Sequence, residues 1–134
     1  MNTDTPTTTN PGTASGSTTR QRGNAAEDQA LAHLQAAGLK LLERNYRTPG
    51  RGGGEIDLIM REPDGTLVFV EVRRRKDARH GGALASVTTL KQRRLVFAAR
   101  HYLLRWPALP PCRFDVVALE SDETRWCKGA FDAS

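Results

Sequence analysis

The chain has 134 residues, with 20 Lys and Arg against 15 Asp and Glu, a net charge of +5 and 38% hydrophobic residues. That length supports one hydrophobic core and not two, and no run approaches the roughly 20 apolar residues of a membrane span, which sets membrane-spanning functions aside. The two cysteines, Cys112 and Cys127, fit no metal-thiolate spacing, so free thiols in a cytoplasmic protein are the simplest account.

Residues 1–21 form the first segment. Residues 1–19 hold eight Thr with Pro, Gly and Ser, and a single charge, Asp4. So little apolar surface cannot offset the entropy of ordering, and a disordered tail is expected ahead of one domain over 22–134. The tail lacks the basic start and apolar core of a secretory signal. Asn24 is placed as the N-cap of a helix over residues 25–37, with Ala26, Ala30, Leu31 and Leu34 on one stripe and Gly38 at its end. Glu27 has two readings. Three residues past Asn24 it closes a capping box; it also lies on the stripe that faces the sheet.

A strand over 40–47 follows, then a glycine-bearing loop over 48–54. Next come two strands, 54–60 and 66–73, joined through the turn Pro63-Asp64-Gly65 as a hairpin. A polar loop covers 77–83. A second helix over about 88–104 carries Leu95, Ala98, Ala99, Tyr102 and Leu103 at helical spacing, and Trp106-Pro107 stops it. Residues 113–119 read as a strand and 125–128 as a short edge strand. The order is αβββαβ, the second helix crossing over from the hairpin to a parallel neighbour.

Side chains alternate along a strand, so Glu71 and Arg73 share a face, as do Glu55 and Asp57. A carboxylate embedded in such apolar runs is costly unless it is paired or holds a cation. Asp57 is compatible with an exposed strand position or an arginine partner as well as with a metal. Glu71, between two valines, fits a casual surface carboxylate less well. Two such acids at adjacent strand ends make an oxygen-ligand site suited to Mg²⁺, and Arg73 beside them would hold a phosphate. Glu55, one pleat nearer the loop, rims the site or pairs with a base. His33, His80 and His101 have no partner at metal-ligand spacing.

Charge concentrates in residues 73–105, where ten basic side chains face Asp77 alone. A polyanion partner and a solvated helix face both account for this. Sixteen of the 20 basic residues are arginine, the side chain suited to bidentate phosphate contact. Arg74, Arg75, Lys76, Lys91, Arg93 and Arg94 are the candidate nucleic-acid contacts. Lys91, one turn before Leu95, points either toward the site or into water.

An acid in one strand and an acid-x-base triplet in the next resembles the PD-(D/E)XK nuclease superfamily. The fuller strings Gly54-Glu55-Ile56-Asp57-Leu58-Ile59 and Phe69-Val70-Glu71-Val72-Arg73-Arg74-Arg75 resemble more narrowly the YraN-like family of small bacterial proteins, related to archaeal-type Holliday junction resolvases. The resemblance runs from about residue 23 to the C-terminus. It implies a restriction endonuclease-like α/β fold, an αβββαβ core with a mixed central sheet flanked by helices. It implies that Asp57 and Glu71 bind catalytic Mg²⁺ or Mn²⁺ with the Val72 carbonyl, and that Glu27 adds a third acid from the first helix. The catalytic position Arg73 departs from the superfamily's commonest residue, lysine. Arginine cannot shed a proton, so it stabilises phosphate charge and leaves water activation to the metal.

Three functions therefore stand open. The first is a Mg²⁺-dependent nuclease-like protein that binds and cleaves DNA phosphodiesters, branched or single-stranded DNA among them. The second is a catalytically weak or inactive nucleic-acid-binding module. The third is a structural partner in a repair or replication assembly. A resolvase acting on two strands would need a homodimer.

Overall fold

The structure is a computed structural model that describes residues 19–50, 52–75, 87–120 and 123–133, without the side chains of residues 19–23 and Arg75. The expected tail up to residue 18 and the polar loop over 77–83 lie outside the described residues. The elements are α1 (Thr19–Ala36), β1 (Lys40–Arg47), β2 (Glu55–Arg61), β3 (Leu67–Arg75), α2 (Thr89–Leu103), β4 (Cys112–Glu120) and β5 (Glu123–Phe131). They form one five-stranded sheet in the order β1-β2-β3-β4-β5. All neighbours are antiparallel except β3 and β4, whose parallel pairing follows from the α2 crossover between them. This is the mixed αβββαβ order read from the sequence.

Both faces of the sheet are covered. On one, Ala26, Ala30 and Leu34 of α1 pack with Leu58, Met60, Val68, Val70, Val117 and Leu119. On the other, Leu95, Ala98, Ala99, Tyr102 and Leu103 of α2 pack with Ile56, Ile59, Leu67, Phe69, Phe114 and Val116. Burial on two sides explains why β3 and β4 are nearly continuous in apolar residues instead of alternating. Each fully buried Leu, Ile or Phe contributes about 1.5–3 kcal/mol.

Two local features depart from the sequence reading. Asn24 caps nothing: α1 begins at Thr19, and Asn24 sits inside it with its carbonyl accepting from Arg44 Nη2 at 3.3 Å. An asparagine inside a helix costs under about 0.7 kcal/mol, and the arginine contact offsets part of that. The capping-box reading of Glu27 falls with it. The edge strand β5 spans nine residues rather than four, paired to β4 from Phe114–Phe131 to Glu120–Glu123. The loop glycines also have distinct reasons. A Cβ on Gly54 would stand 2.0 Å from the Arg94 carbonyl, so α2 packs directly on this backbone. Gly54 is further tied to Thr48, whose Oγ1 accepts its N–H at 2.7 Å.

Gly38, at φ 99, ends α1, and Leu39 N donates back to Leu34 O at 3.1 Å. Thr88 caps α2 by accepting from Lys91 N at 3.2 Å. Asp115, fully buried, is satisfied by Arg113 Nε at 3.0 Å, Trp126 Nε1 at 2.8 Å and Gly129 N at 2.9 Å, and it holds the register shift between β4 and β5. Both cysteines are free, as expected. Among the described residues no helix is long and apolar enough to cross a membrane.

Candidate metal centre

The site forms where β2 and β3 part. Their ladder ends at Leu58–Val70, which leaves the Val72 N–H without a strand partner. Asp57 Oδ2 takes it at 2.8 Å. Strand alternation breaks at this point: Ile56 packs on the α2 side and Leu58 on the α1 side, although they are two residues apart. The break continues in β1, where Asn45 adopts φ 53 between Arg44, which contacts α1, and Tyr46, which packs under α2. Asn45 is among the few residue types that tolerate this region. The paired irregularities turn the Asp57 carboxylate into the gap between the strands.

Glu71 lies beside it, near enough for its charge to act on the Asp57 carboxyl group. Glu71 is buried, and its Oε2 lies 3.2 Å from Arg73 Nη1 and 3.5 Å from Lys91 Nζ. Arg73 thus shares the Glu71 face, as alternation requires. Lys91 arrives from the first turn of α2, which resolves its two sequence readings in favour of the site. Glu71 Oε1 is buried and has no hydrogen-bond partner. Burial, first, and the Glu71 charge, second, push the Asp57 carboxyl up to about 7, against the pull of the Val72 N–H and Lys91.

Glu27 approaches from α1. Burial and the Asp57 charge raise its pKa, while Arg44 and the Asn45 side chain oppose the rise. Its Oε1 lies 3.4 Å from Arg44 Nε, and the same arginine reaches Asp28 Oδ1 at 2.5 Å. Among the described residues no three of His, Cys, Asp and Glu converge as a ready metal cage. The structure therefore presents a carboxylate pair, with the third acid adjoining it and held by an arginine. Glu55 pairs loosely with Arg47 at 3.8 Å, on the rim.

The donor set suits a hard divalent cation. A half-buried and a buried carboxylate stand side by side, and one buried oxygen, Glu71 Oε1, has no partner, the kind of atom that a cation satisfies.

Among the described residues, the remaining basic side chains line different recesses. Arg74 is exposed at the end of β3. Arg93 lines a groove with Phe97 and Arg100, whereas Arg94 lines a different cleft, beside Gly54. Arg105 stacks 4.0 Å over the Tyr102 ring, and Arg100 Nη2 donates to Ala133 O at 3.3 Å, so both have structural work. Lys76 and the Arg75 side chain lie outside the described residues. His33 packs edge-on to Trp126 and His101 Nδ1 is 2.5 Å from Tyr46 Oη, both away from the acids. Sequence reasoning missed Arg44, whose hold on Glu27 depends on how α1 crosses β1, and no local pattern signals that crossing.

A model of the "Uncharacterised protein family UPF0102" matches residues 26–119. A "UPF0102 protein" of Acidovorax sp. (strain JS42) is 68% identical over 123 residues, which cover 92% of this chain and 93% of that one. The "UPF0102 protein" of Paracidovorax citrulli (strain AAC00-1) is 68% identical over 91% of this chain and 90% of its own. That of Albidiferax ferrireducens is 67% identical over 87% and 91%. A solved structure described as "crystal structure of a repair endonuclease from Pyrococcus abyssi" is similar at 21% identity and a TM-score of 0.40, over 86% of this chain. This chain spans 41% of that protein's length. From the family match over most of the domain and relatives at about two-thirds identity, the chain belongs to the UPF0102 family, the YraN-like family that its β2 and β3 strings resemble.

Proposed function

We propose that this protein is a divalent-cation-dependent phosphodiester hydrolase acting on DNA. The observation that carries this reading is the pairing of half-buried Asp57 with buried Glu71, which has one unpartnered oxygen and is flanked by Arg73 and Lys91. Asp57 and Glu71 would hold Mg²⁺ or Mn²⁺, with Glu27 supporting from the α1 side. When bound, the cation supplies positive charge beside the phosphate and makes a coordinated water more acidic.

The protein's own residues do the rest. Val72 N–H fixes the orientation of Asp57, so one ligand is preorganised before any substrate arrives. The Arg73 guanidinium, half-exposed beside Glu71, is placed to stabilise negative charge growing on a phosphate. Arg73 cannot exchange a proton at neutral pH, but an ammonium group can. Lys91 stands 3.5 Å from Glu71 Oε2 and is, beside the Asp57 carboxyl, a group of the kind that passes a proton to or from water or a leaving oxygen. The helix thereby supplies the lysine that the strand lacks.

One observation favours the binding module instead: Glu71 Oε2 already has two cationic partners, which neutralise it without a metal. A cleavage screen over single-stranded, duplex, flap and four-way DNA with Mg²⁺ and Mn²⁺ separates the two. Cleavage that EDTA abolishes and that Asp57→Asn lacks supports the hydrolase. DNA binding without cleavage of any substrate supports the module.

A further inference from the structure

A second polar recess lies beside the carboxylate pair and belongs to none of the roles above. It is a cleft of about 280 Å³ lined by Arg47, Thr48, Gly52, Gly53, Glu55 and Arg94. Among the described residues, two guanidinium groups and a single carboxylate line it. Arg94 has no side-chain partner among the described residues. Arg47 has only Glu55, at 3.8 Å, with Arg47 73% and Glu55 42% exposed. With one carboxylate against two guanidinium groups, the described lining keeps an excess positive charge that an anion balances.

The loop backbone adds donors. Gly50 and Gly52 take φ values of 85 and 69, and a Cβ on either would meet nothing within 4 Å. Packing does not demand glycine at these two positions, in contrast to Gly54. Their positive φ values turn the loop where it lines the cleft. The N–H groups of Gly52 and Gly53 have no partner among the described residues. Bare N–H groups in a turned glycine segment form an anion-binding concavity, and the guanidinium fork matches a phosphate.

The position relates the cleft to the acids. Glu55 is two residues from Asp57 along β2, about 6.6 Å. Arg94 is three residues from Lys91 along α2, about 4.5 Å of rise and on the same helix side. The cleft therefore sits one short step from the carboxylate pair, on the line followed by both β2 and α2.

We infer that this cleft binds a backbone phosphate of a nucleic-acid strand, the neighbour of the phosphate held at Asp57 and Glu71. The inference rests on the reading under Proposed function for the identity of the strand, but not for the presence of an anion site. Glu55 opposes the anion electrostatically and serves to hold Arg47 across the cleft mouth when the site is empty.

The test uses the full chain and two probes, inorganic phosphate and a single-stranded oligonucleotide. Backbone amide NMR should show Gly52, Gly53 and Gly54 shifting with both probes, the oligonucleotide saturating at far lower concentration. Arg94→Gln should lower the log–log salt slope of oligonucleotide binding, and Arg47→Gln with Arg94→Gln should lower it by the full value for one phosphate, about 0.7. Arg94→Lys should keep most of the slope. Arg61→Gln, at the far end of β2, is the charge control and should leave the slope unchanged. An unchanged slope in the double variant, or glycine amides that shift with neither probe, overturns the inference. Shifts with phosphate and none with the oligonucleotide mean a free-phosphate site, which also overturns it. The outcome is separable from catalysis: glycine shifts with no cleavage of any DNA sustain the cleft and remove the hydrolase, and cleavage with an unchanged slope does the reverse.

Discussion

Lys91 Nζ lies 3.5 Å from Glu71 Oε2, so an acid on the third strand and a base on the second helix meet across 20 positions of sequence. The contact places a titratable cation next to the carboxylate pair that β3, with arginine at position 73, does not supply. Lys91→Ala should lower cleavage by about 10²-fold or more, the scale of a lost proton-transfer group. Lys91→Arg keeps the charge but not the proton, and should recover DNA binding without recovering the rate. Equal rates in wild type and Lys91→Ala, measured under single turnover, would confine Lys91 to a structural pairing.

Arg73 carries the complementary expectation. Arg73→Lys should preserve or raise activity and move its pH dependence, because it adds a second exchangeable proton to the site. Arg73→Ala should cost on the order of 10²-fold, as when one oxyanion donor is lost. Full pH–rate profiles of the three proteins decide the matter. Superimposable profiles for wild type and Arg73→Ala would mean that the residue has no chemical part.

The Asp57 carboxyl makes stability depend on pH in a definite direction. Burial and Glu71 raise it from 3.8 to about 7 in the folded chain, so folding favours its protonated form. That contribution is complete below about pH 4, declines as pH rises, and is gone above about pH 7. Asp57→Asn removes the titrating charge and keeps an oxygen that can accept the Val72 N–H. The metal-free variant should therefore melt above wild type at pH 8, by several degrees for each kcal/mol gained, and the gap should close toward pH 4. A variant that loses the same stability at every pH would mean that the carboxylate is not strained by its surroundings.

The same titration governs metal binding. A cation needs the ionised carboxylate, so binding must expel the Asp57 proton at pH values below about 7. The thermal shift caused by Mn²⁺ should be larger at pH 8 than at pH 6. A shift that does not change across this range points to ligands other than Asp57.

Gly54 tests the packing beneath the site. An alanine there would set Cβ 2.0 Å from the Arg94 carbonyl, and helix backbone cannot move aside cheaply. Gly54→Ala should cost about 2 kcal/mol or more, read as a fall in the denaturation midpoint. Tolerance of the change would show that α2 slides freely over β2.

The hairpin, β1 and α2 were legible because their apolar runs and turn residues are local signals. The acids of the site were legible for the same reason, since Asp57 and Glu71 stand out within apolar strands. What escaped depends on partners distant in sequence. Asn24 has the local chemistry of a cap, yet α1 continues through it to meet Arg44. The edge strand β5 has a weak pattern, and its nine residues are held by pairing with β4. Asp115 looks like any strand acid until Trp126 and Gly129 supply its hydrogen bonds. The placement of α2, with Lys91 at the acids, Arg94 at a separate cleft and its backbone against Gly54, appears in no local window.

The central claim is that Asp57 and Glu71 together hold a divalent cation. A Mn²⁺ titration of the metal-free protein at pH 8, followed by electron paramagnetic resonance, addresses it most directly when run on wild type, Asp57→Asn and Glu71→Gln. The account predicts saturable binding by wild type and its loss in both variants, each of which remains folded. Equal Mn²⁺ binding by all three proteins, or none by wild type, would contradict it.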